Sequence, residues 1–555
     1  MDLRNIFLKV KRSNILSDLY AGFVLAAVAM PNGMAAGLLA GVNPIFGLYS
    51  LIIGAPVAAI FTGSVFMSVD ATGSTSLIVG GVMSGYQEEA RVNALVTIVL
   101  VAAIVQIAAG LLRLGFLTRF ISTAVMTGFF YGIIVSIVLS QLGNLTGYQS
   151  EYSNRIAQTA DLIWHITSVD IPTLLVGLGT IVFLIIMRRT RFLSYSLLAA
   201  VVLAAFLVWI LGLDSVRTVR GISTTPIGLP RPFLPNPLLD FNLALSGIAV
   251  AVIGLLQGAG VSNSYANPDG KYGNPSRNFL GQGIANLAVS FFRGIPVGGS
   301  ISSSALLVSS GARSRWARIF AGILAAFIVW LMPDFLARLP LAVLAAVLIV
   351  VDLSFFDFER IRTVWEAGFS SRTVMLITFI LIMVLPVYIA VLAGVVIHVI
   401  LHIFHSAERV KIMQFLPLED GRYAERPAGK RLEDQAITIL MPVGSLFYAG
   451  AIKFEEILPS AEGTSRAVVI MRLRGRHEVG STFLLVIKRY AETLKKHDGK
   501  LVLVGVNDRV NNELKKTGIL ESLGSDNVFL ATHIRRESLE QAISSAKAWL
   551  AESQE

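Results

Sequence analysis

The sequence predicts a polytopic α-helical membrane domain followed by a small α/β domain. Of the 555 residues, 54% are hydrophobic and only 15% are charged, whereas soluble globular proteins carry about 25% charged residues. Apolar blocks long enough to cross or half-cross a bilayer recur from about residue 16 to residue 405. Beyond that point the composition becomes charged, and from Ala436 short apolar strands alternate with helical patterns.

The composition also argues against several classes of function. The chain has no cysteine, which rules out disulfides, cysteine metal sites and thiol catalysis. Its net charge of +10 is spread between apolar segments, so we expect no nucleic-acid partner. The sequence has no metal-ligand cluster, phosphate loop or nucleophile–base set, so we expect neither an enzyme nor a bound metal or cofactor.

The membrane domain, residues 16–405, is predicted to contain about fourteen segments, with roughly 20 residues for a full span. A short cytoplasmic segment, residues 1–15, precedes it. The approximate blocks are 16–38, 44–61, 65–84, 92–112, 118–142, 171–187, 194–213, 243–265, 278–292, 296–311, 316–333, 338–352, 373–386 and 387–405.

The loops between these blocks predict the orientation. With the N-terminus in the cytoplasm, the loops on the cytoplasmic side hold most of the basic residues, for example Arg313, Arg315 and Arg318 after the tenth block. The external loops are mostly neutral or acidic, and the proline-rich loop around residues 217–231 is the exception. We therefore expect both termini in the cytoplasm and the chain in the inner or plasma membrane.

Two blocks are interrupted in the same way, in FTGSVFMSVDATGSTSLIVGGVMSG from Phe61 and in RGIPVGGSISSSALLVSSGARS from Arg293. In each, an extended stretch meets Gly, Ser and Thr, and an apolar helix too short to cross the bilayer follows. Paired interruptions are typical of inverted-repeat transporters whose binding site lies between them. We also expect the three arginines after the second interruption to cap the cytoplasmic end of its half-helix.

A helix that begins inside the membrane directs unpaired N–H groups and a positive dipole end at the site, which suits a small anion. The alternative is that these small residues only permit close helix packing. The occurrence of two symmetric runs favours the anion site. The predicted substrate-binding residues in the two runs are Thr72, Gly73, Ser74, Gly299, Ser300, Ile301, Ser302 and Ser303.

Asp70 is predicted to be the only acidic residue deep in the membrane region, where charged side chains are costly and usually functional. Three interpretations stay open. Its carboxylate could cap the half-helix, bind a proton or Na⁺ that is cotransported with the anion, or pair with a base such as Arg293. In the second case, neutralising the carboxylate would remove its repulsion of the anion and so couple the two ligands.

Three stretches resemble the sulfate permease (SulP) family of anion transporters, and the tail resembles its STAS domain. The stretches are SDLYAGFVLAAVAMPNGMAAGLLAGVNPIFGLYS, NFLGQGIANLAVSFF and GIPVGGSISSSALLVSSGARS. The resemblance implies seven-plus-seven inverted repeats, with a uracil-permease-like core (blocks 1–4 and 8–11) and gate (blocks 5–7 and 12–14). It also implies a homodimer and a secondary active, elevator-like transporter of a small anion, with sulfate as the default.

The chain departs from the family pattern at four places. Asn32 stands where many members have Gln or Glu, and Gln257 stands where many have Glu or Asp. Neither can titrate, but both can hydrogen-bond substrate or Na⁺. Ser303 replaces a common Arg, and Asp70–Ala71 replaces a common Gly-Pro.

Because the missing Arg weakens the case for a doubly charged oxyanion, bicarbonate and dicarboxylates remain rival substrates. An anion channel and a membrane-anchored STAS signalling module are rival classes. The STAS tail argues against a purine or pyrimidine permease of the same fold.

The tail is predicted to consist of a linker, residues 406–435, and a STAS domain, residues 436–555. Related domains often carry an Asp-x-Ser/Thr site before a helix, and here Gly480 occupies the Asp position. We favour a helix-capping role over phosphorylation for Ser481 and Thr482. A cytoplasmic regulator could bind this domain.

Overall fold

The chain forms two compact units, Met1–Val396 and Ile397–Glu555, in a computed structural model. Residues 1–11 of the predicted N-terminal segment lie outside the described residues. The structure describes residues 12–552 except 84, 117–121, 153, 188, 191–195, 223–227, 386, 419–421, 477–478 and 535.

The first unit consists of helices and two short strands that follow the predicted apolar blocks in order, and its last helix continues past Val396 into the second unit. Short helical turns at Ile166–Ser168, Val219–Ile222 and Pro333–Ala337 lie in the connections. In chain order the main elements are α1 (Arg12–Leu39), α2 (Ile45–Phe61), β1 (Ser68–Ala71), α3 (Gly73–Met83), α4 (Glu88–Leu111), α5 (Thr123–Thr146), α6 (Arg155–Trp164), α7 (Ile171–Met187), α8 (Ser196–Ile210), α9 (Phe241–Ser264), α10 (Pro275–Ser290), β2 (Val297–Ser300), α11 (Ile301–Ser309), α12 (Trp316–Leu331), α13 (Leu341–Leu353), α14 (Phe358–Glu366), α15 (Phe369–Val384) and α16 (Val387–Glu408).

The helices have the length and surface of membrane spans. Among the described residues, α1, α4, α5 and α9 are each long and apolar enough to cross a membrane. Helices α13 and α14 pass the same test together across a bend of 43°, and six further apolar helices are shorter. Leu175, Ile186 and Trp209 on α7 and α8 are exposed, as expected for side chains in contact with lipid. The predicted polytopic membrane domain is confirmed, and the inverted repeat stays a prediction.

The two interrupted blocks meet inside this unit. Strand β1 pairs with β2 in antiparallel fashion, with Ser68 opposite Ser300 and Asp70 opposite Gly298. All eight strand residues are buried. Helix α3 begins two residues after β1, and α11 begins directly after β2. Each extended stretch therefore leads into a short helix that starts in the interior.

Glycines also serve close packing elsewhere in the unit. A Cβ added to Gly47 in α2 would lie only 1.8 Å from the carbonyl oxygen of Gly33 in α1. A Cβ on Gly33 would lie 3.0 Å from the carbonyl oxygen of Gly47. These two glycines, which lie outside the interrupted runs, therefore permit close packing of α1 and α2.

Two amphipathic helices occupy segments that the sequence predicts as loops. Helix α6 leaves Ile163 and Trp164 exposed, and α14 follows a cap by the Asp357 side chain, which accepts the N–H groups of Glu359 and Arg360. Neither helix forms a continuous apolar block, so the search for spans misses them. Their exposed apolar residues suit the interface between lipid and water.

The second unit contains a six-stranded mixed sheet in the order β4-β3-β5-β6-β7-β8. The pairs β4–β3 and β3–β5 are antiparallel, and the other neighbours are parallel. The elements are β3 (Lys411–Pro417), β4 (Tyr423–Pro427), β5 (Ile437–Val443), α17 (Tyr448–Glu456), β6 (Val468–Arg472), α18 (Ser481–Lys496), β7 (Lys500–Val506), α19 (Asp508–Lys516), α20 (Ile519–Leu523), β8 (Val528–Leu530) and α21 (Glu537–Ala551).

Two hydrophobic cores cover the sheet. One contains Phe454 of α17 and Phe483 of α18, and the other contains Leu539 and Ala542 of α21. From β5 onward strands alternate with helices, as the sequence predicts from Ala436, so the α/β domain is confirmed.

The boundary of this domain differs from the prediction. Strands β3 and β4 lie in the predicted linker 406–435 and extend the sheet from β5. On β3 only alternate or third residues such as Ile412 and Phe415 are buried. A strand with one half-exposed face has no long apolar run, which is why composition alone suggests a linker.

We expect Gly47→Ala to lower the free energy of unfolding by about 1–3 kcal/mol, because the new methyl group overlaps the Gly33 carbonyl oxygen. The matched control is Gly179→Ala in α7, whose Cβ would meet no atom within 4 Å. Thermal unfolding of the purified protein in detergent measures both. Equal melting temperatures for the two variants would contradict the packing described here.

Candidate functional site

A cavity of about 230 Å³ lies where β1–α3 and β2–α11 meet. Eight of the ten predicted substrate-binding residues line it, and Gly299 and Ser303 do not. Its wall is completed by residues of α5, α13 and α14 and the segment between the last two. The eight are Asn32, Thr72, Gly73, Ser74, Gln257, Ser300, Ile301 and Ser302.

The start of α3 is closed by Thr72, whose Oγ1 accepts the N–H of Thr75 at 3.4 Å. Gln257 on α9 bridges this first turn. Its amide oxygen accepts from the Thr72 hydroxyl at 3.3 Å, and its amide nitrogen donates to the Ser74 hydroxyl at 3.0 Å. Gln257 therefore orients the two hydroxyl groups that face the cavity, and a neutral amide can do this without adding charge.

The start of α11 is organised by serine hydroxyls. Ser300 caps the helix by accepting the N–H of Ser303 at 3.3 Å. Its hydroxyl also lies 3.1 Å from the hydroxyls of Ser302 and Ser303. Ser304 donates to the Ser300 carbonyl and accepts from the Ser68 N–H of β1. This network ties α11 to β1, and Ser303 is used within it rather than at the cavity wall.

Three amide side chains hold the unwound strand β2 in place. Asn286 of α10 accepts the N–H of Val297 and donates to its carbonyl oxygen, both at 2.8 Å. Gln106 of α4 accepts from Asn286 at 2.8 Å, and Gln282 accepts the N–H of Gly299 at 3.1 Å. Backbone polar groups inside a membrane need such partners. The sequence analysis does not predict a role for these three residues. The signal that could have indicated them is the presence of amide side chains inside otherwise apolar blocks.

Glycine places β2 directly against α9. A Cβ on Gly299 would lie 2.5 Å from the Cα of Gly258, and one on Gly298 would lie 3.2 Å from the Cα of Gly254. The predicted residue Gly299 therefore lies behind the cavity wall, where it permits the strand and helix to touch.

Two arginines support the other unwound stretch, between α2 and β1. Arg315 donates to the carbonyl oxygens of Ala59 and Thr62 at 2.9 and 2.6 Å. The fully buried Arg318 donates to the Ser64 carbonyl oxygen at 3.2 Å and to the Met67 carbonyl oxygen. The prediction that the arginines cap α11 is wrong for Arg315 and Arg318. Their guanidinium groups instead bind carbonyl oxygens that are released by unwinding after α2.

Asp70 is buried at the start of α11, not at the start of α3. Its Oδ2 accepts from the Ser68 hydroxyl at 3.3 Å, and the hydroxyls of Ser300 and Ser303 also face it. Because Thr72 closes α3, Asp70 does not cap that helix. Arg293 lies over the Phe233 ring at 4.8 Å, and no ion pair among the described residues joins it to Asp70. The carboxylate is surrounded by hydroxyl oxygens, as a cation site would require.

Asp352, at the end of α13, also lines the cavity. Its two carboxylate oxygens lie 3.1 and 3.5 Å from where a Cβ on Gly73 would stand. The prediction that Asp70 is the only acid deep in the membrane region is therefore wrong, and Asp18 is a further buried acid. The signal was a single Asp at the end of the apolar run LAVLAAVLIVVDL.

The charged rim of the cavity comes from α14. Asp357 and Arg360 line it, and Tyr131 of α5 donates its hydroxyl to the Asp357 carbonyl oxygen at 2.8 Å. Arg360 extends over the Phe130 ring at 6.0 Å. Both rim residues belong to the loop predicted as cytoplasmic.

The predicted regulatory residues of the STAS domain lie at the start of α18. Ser481 and Thr482 begin α18, and Gly480 is its N-cap. No side-chain hydrogen bond caps this helix, so the expected capping role of Ser481 or Thr482 is absent.

Comparisons with known proteins agree along the chain. A model of the sulfate permease family matches residues 15–379, and a model of the STAS domain matches residues 431–534. YvdB of Bacillus subtilis is 24% identical over 517 residues, which cover 92% of this chain and 95% of YvdB. Sulfate transporter 4.1 of Arabidopsis thaliana is 24% identical, with 93% of this chain and 79% of that protein covered.

Solved structures have the same fold. The murine anion transporter Slc26a9, in its inward-facing state, matches with a TM-score of 0.86 at 19% identity, over 98% of this chain and 94% of its own. The transmembrane domain of the cyanobacterial bicarbonate transporter BicA matches with a TM-score of 0.60 at 22% identity. That match covers 70% of this chain and 99% of the BicA domain.

We expect Asn286→Leu to destabilise the protein by about 1–3 kcal/mol, because the Val297 N–H and carbonyl groups lose their buried partner. The start of α11 would shift with β2, so anion binding should weaken as well. Melting temperature and equilibrium binding of labelled sulfate measure the two effects. Asn242→Leu, the same change at an exposed position on α9, is the control, and equal effects of both changes would refute the role of Asn286.

Proposed function

Because the chain belongs to the sulfate permease family, which makes it an anion transporter and not an enzyme, we propose that it carries sulfate by secondary active transport. In this proposal it resides in the plasma membrane with both termini in the cytoplasm and needs no cofactor. The transport cycle is an elevator-like movement that exposes one site to each side in turn.

One observation carries the proposal: two helices begin at the same cavity and present hydroxyl groups there. The first turns of α3 and α11 provide Thr72, Ser74, Ser300 and Ser302 to its wall. Neutral N–H and O–H donors at helix N-termini bind small anions without a permanent counter-charge. Binding by neutral donors suits a carrier, because the bound anion must also be released.

The elevator proposal is supported by the two groups of helices that line the cavity. Helices α1, α3, α9 and α11 supply one wall, and α5, α13 and α14 supply the other. We infer that the first group carries the anion past the second. The rim residues Asp357 and Arg360 belong to the predicted cytoplasmic loop, so this conformation would load or release the anion on the inner side.

A second candidate function is carriage of bicarbonate or a dicarboxylate with Na⁺ or H⁺. Two observations favour it. Ser303 stands where many members have Arg and is held within the α11 network. Asp70, with an unpaired Oδ1 and the hydroxyls of Ser68, Ser300 and Ser303 around it, resembles the all-oxygen environment that hard cations prefer.

The remaining expectations concern assembly and class. We propose a homodimer and a cytoplasmic regulator that binds the STAS domain. An anion channel or a membrane-anchored signalling module would have the same overall composition, but a carrier alone exchanges labelled anion through a saturable site.

The test is counterflow in proteoliposomes with labelled sulfate and, in parallel, labelled bicarbonate and succinate. We expect saturable exchange of sulfate, since its oxygens match the donors at the cavity wall. Exchange of one of the other anions without sulfate would select the second candidate function. Electrical conductance without counterflow would select a channel. The absence of both conductance and counterflow would refute transport.

A separate prediction concerns cation coupling. If Asp70 holds Na⁺, Asp70→Asn should abolish the stimulation of uptake by an inward Na⁺ gradient, because the amide carries no charge to hold the cation. Asp214→Asn in an exposed loop is the matched control. Unchanged Na⁺ stimulation in Asp70→Asn would eliminate this coupling site.

A further inference from the structure

We propose that Asp352 is a built-in competitor of the transported anion: its ionised carboxylate occupies the space at the start of α3, and protonation of Asp352 frees that space. Anion binding and proton binding would then favour each other. The inference rests on the proposed transport function and adds to it a residue, Asp352, and a mode of control by pH.

The geometry places the carboxylate at the anion site. Asp352 lines the same cavity as Thr72, Gly73 and Ser74, and its oxygens approach within 3.1 and 3.5 Å of the missing Cβ of Gly73. A larger residue at position 73 would block this approach. The positive end of the α3 dipole attracts an anionic group of the protein as it attracts a free anion. Only one of the two can occupy that space.

The carboxylate has no other task in the fold. Its buried Oδ2 has no hydrogen-bond partner, and among the described residues no hydrogen bond or ion pair to the Asp352 carboxylate is found. Asp357, the other acid of the cavity, is already bound by the N–H groups of Glu359 and Arg360. A carboxylate whose buried oxygen bonds to no neighbour is retained at a cost, which is consistent with a role in binding.

The other charged and titratable groups near Asp352 are accounted for. Tyr131 of α5 and Arg360 of α14 line the same cavity, and Asp70 on β1 faces hydroxyl groups. On α1, Asp18 accepts the backbone N–H groups of Arg313 and Ser314, and Arg12 and Tyr20 belong to the same N-terminal part of that helix. Helices α3, α7 and α8 carry no charged or titratable residue within their bounds. Asp352 is therefore the described carboxylate placed to respond to an anion at α3.

A proton suits this position better than a metal cation. Hard cations in proteins need several oxygen ligands. Among the described residues, no hydroxyl group donates a hydrogen bond to the Asp352 carboxylate, whereas three serine hydroxyls face Asp70. A proton needs only the carboxylate itself. If the anion binds more tightly when Asp352 is protonated, then anion binding must in turn favour uptake of a proton by Asp352.

The sign of the pH effect follows. Acid pH protonates Asp352, removes the negative charge beside α3 and raises the affinity for the anion. Where the carboxylate is ionised, each further pH unit should lower the apparent affinity by about tenfold. Sulfate keeps its charge throughout the weakly acid to weakly basic range, so a change in its affinity reports on the protein.

The experiment measures the KM of sulfate counterflow in proteoliposomes from about pH 5 to pH 8, with equal pH on both sides. For the unmodified protein we expect KM to rise with pH. Asp352→Asn should show a low KM that does not change with pH, and Asp352→Glu should keep the dependence. Asp334→Asn, at an exposed position near the start of a short helical turn, is the control and should behave as the unmodified protein.

Two outcomes separate this inference from the proposed function. Counterflow by the unmodified protein with a KM that ignores pH, or an Asp352→Asn variant that keeps the full pH dependence, would overturn the role of Asp352 and leave transport intact. Absence of counterflow with sulfate, bicarbonate and succinate would remove both.

If the Asp352→Asn variant does not fold, a second measurement on the unmodified protein tests the proposal. The purified, unmodified protein in weakly buffered detergent solution at about pH 8 is mixed with sodium sulfate, and a pH indicator follows the solution. We expect uptake of close to one proton for each anion bound. Saturable sulfate binding without proton uptake would overturn the proposal.

Discussion

The structure depends on one constraint: an unwound backbone inside a membrane needs a hydrogen-bond partner for every polar group. The chain unwinds twice, before α3 and before α11. The two extended stretches meet this demand first by pairing with each other as β1 and β2. The rest is met by side chains, with Asn286 and Gln282 on β2 and with Arg315 and Arg318 on the stretch before β1. Without these partners the two helix starts could not lie in the interior.

This solution also defines the chemistry of the cavity. Helices that begin at buried strands aim their N-termini at a common space, and the strands carry Ser and Gly because bulky side chains would separate β2 from α9. The donors of the site are therefore neutral, and the described charges that line the cavity are Asp352, Asp357 and Arg360. Because the donors carry no charge, repulsion by nearby ionised carboxylates lowers the affinity of the site for an anion. This balance makes Asp70 and Asp352 the residues through which a cation or a proton can influence transport.

Much of this arrangement can be predicted from the sequence. The apolar blocks correspond in order to the described helices, because a span needs a continuous apolar stretch that composition reveals. The two Gly- and Ser-rich interruptions predict both half-helices and six of the residues at the cavity, and the family resemblance adds Asn32 and Gln257. The elements that the sequence does not predict have no continuous apolar run, namely the amphipathic helices α6 and α14 and the strands β3 and β4. Isolated polar residues such as Gln106 and Asn286 escape for the same reason.

By itself, then, the sequence determined the membrane class, the number of apolar segments, the two helix starts and the α/β tail, since each depends on local composition and period. Only the tertiary structure decided which polar groups meet. It placed Asp70 against α11 rather than as the cap of α3, directed Arg318 to carbonyl groups far along the chain, and brought Asp352 beside Gly73. Such pairings join residues separated by many helices, and their energy depends on distance and burial, which no local pattern contains.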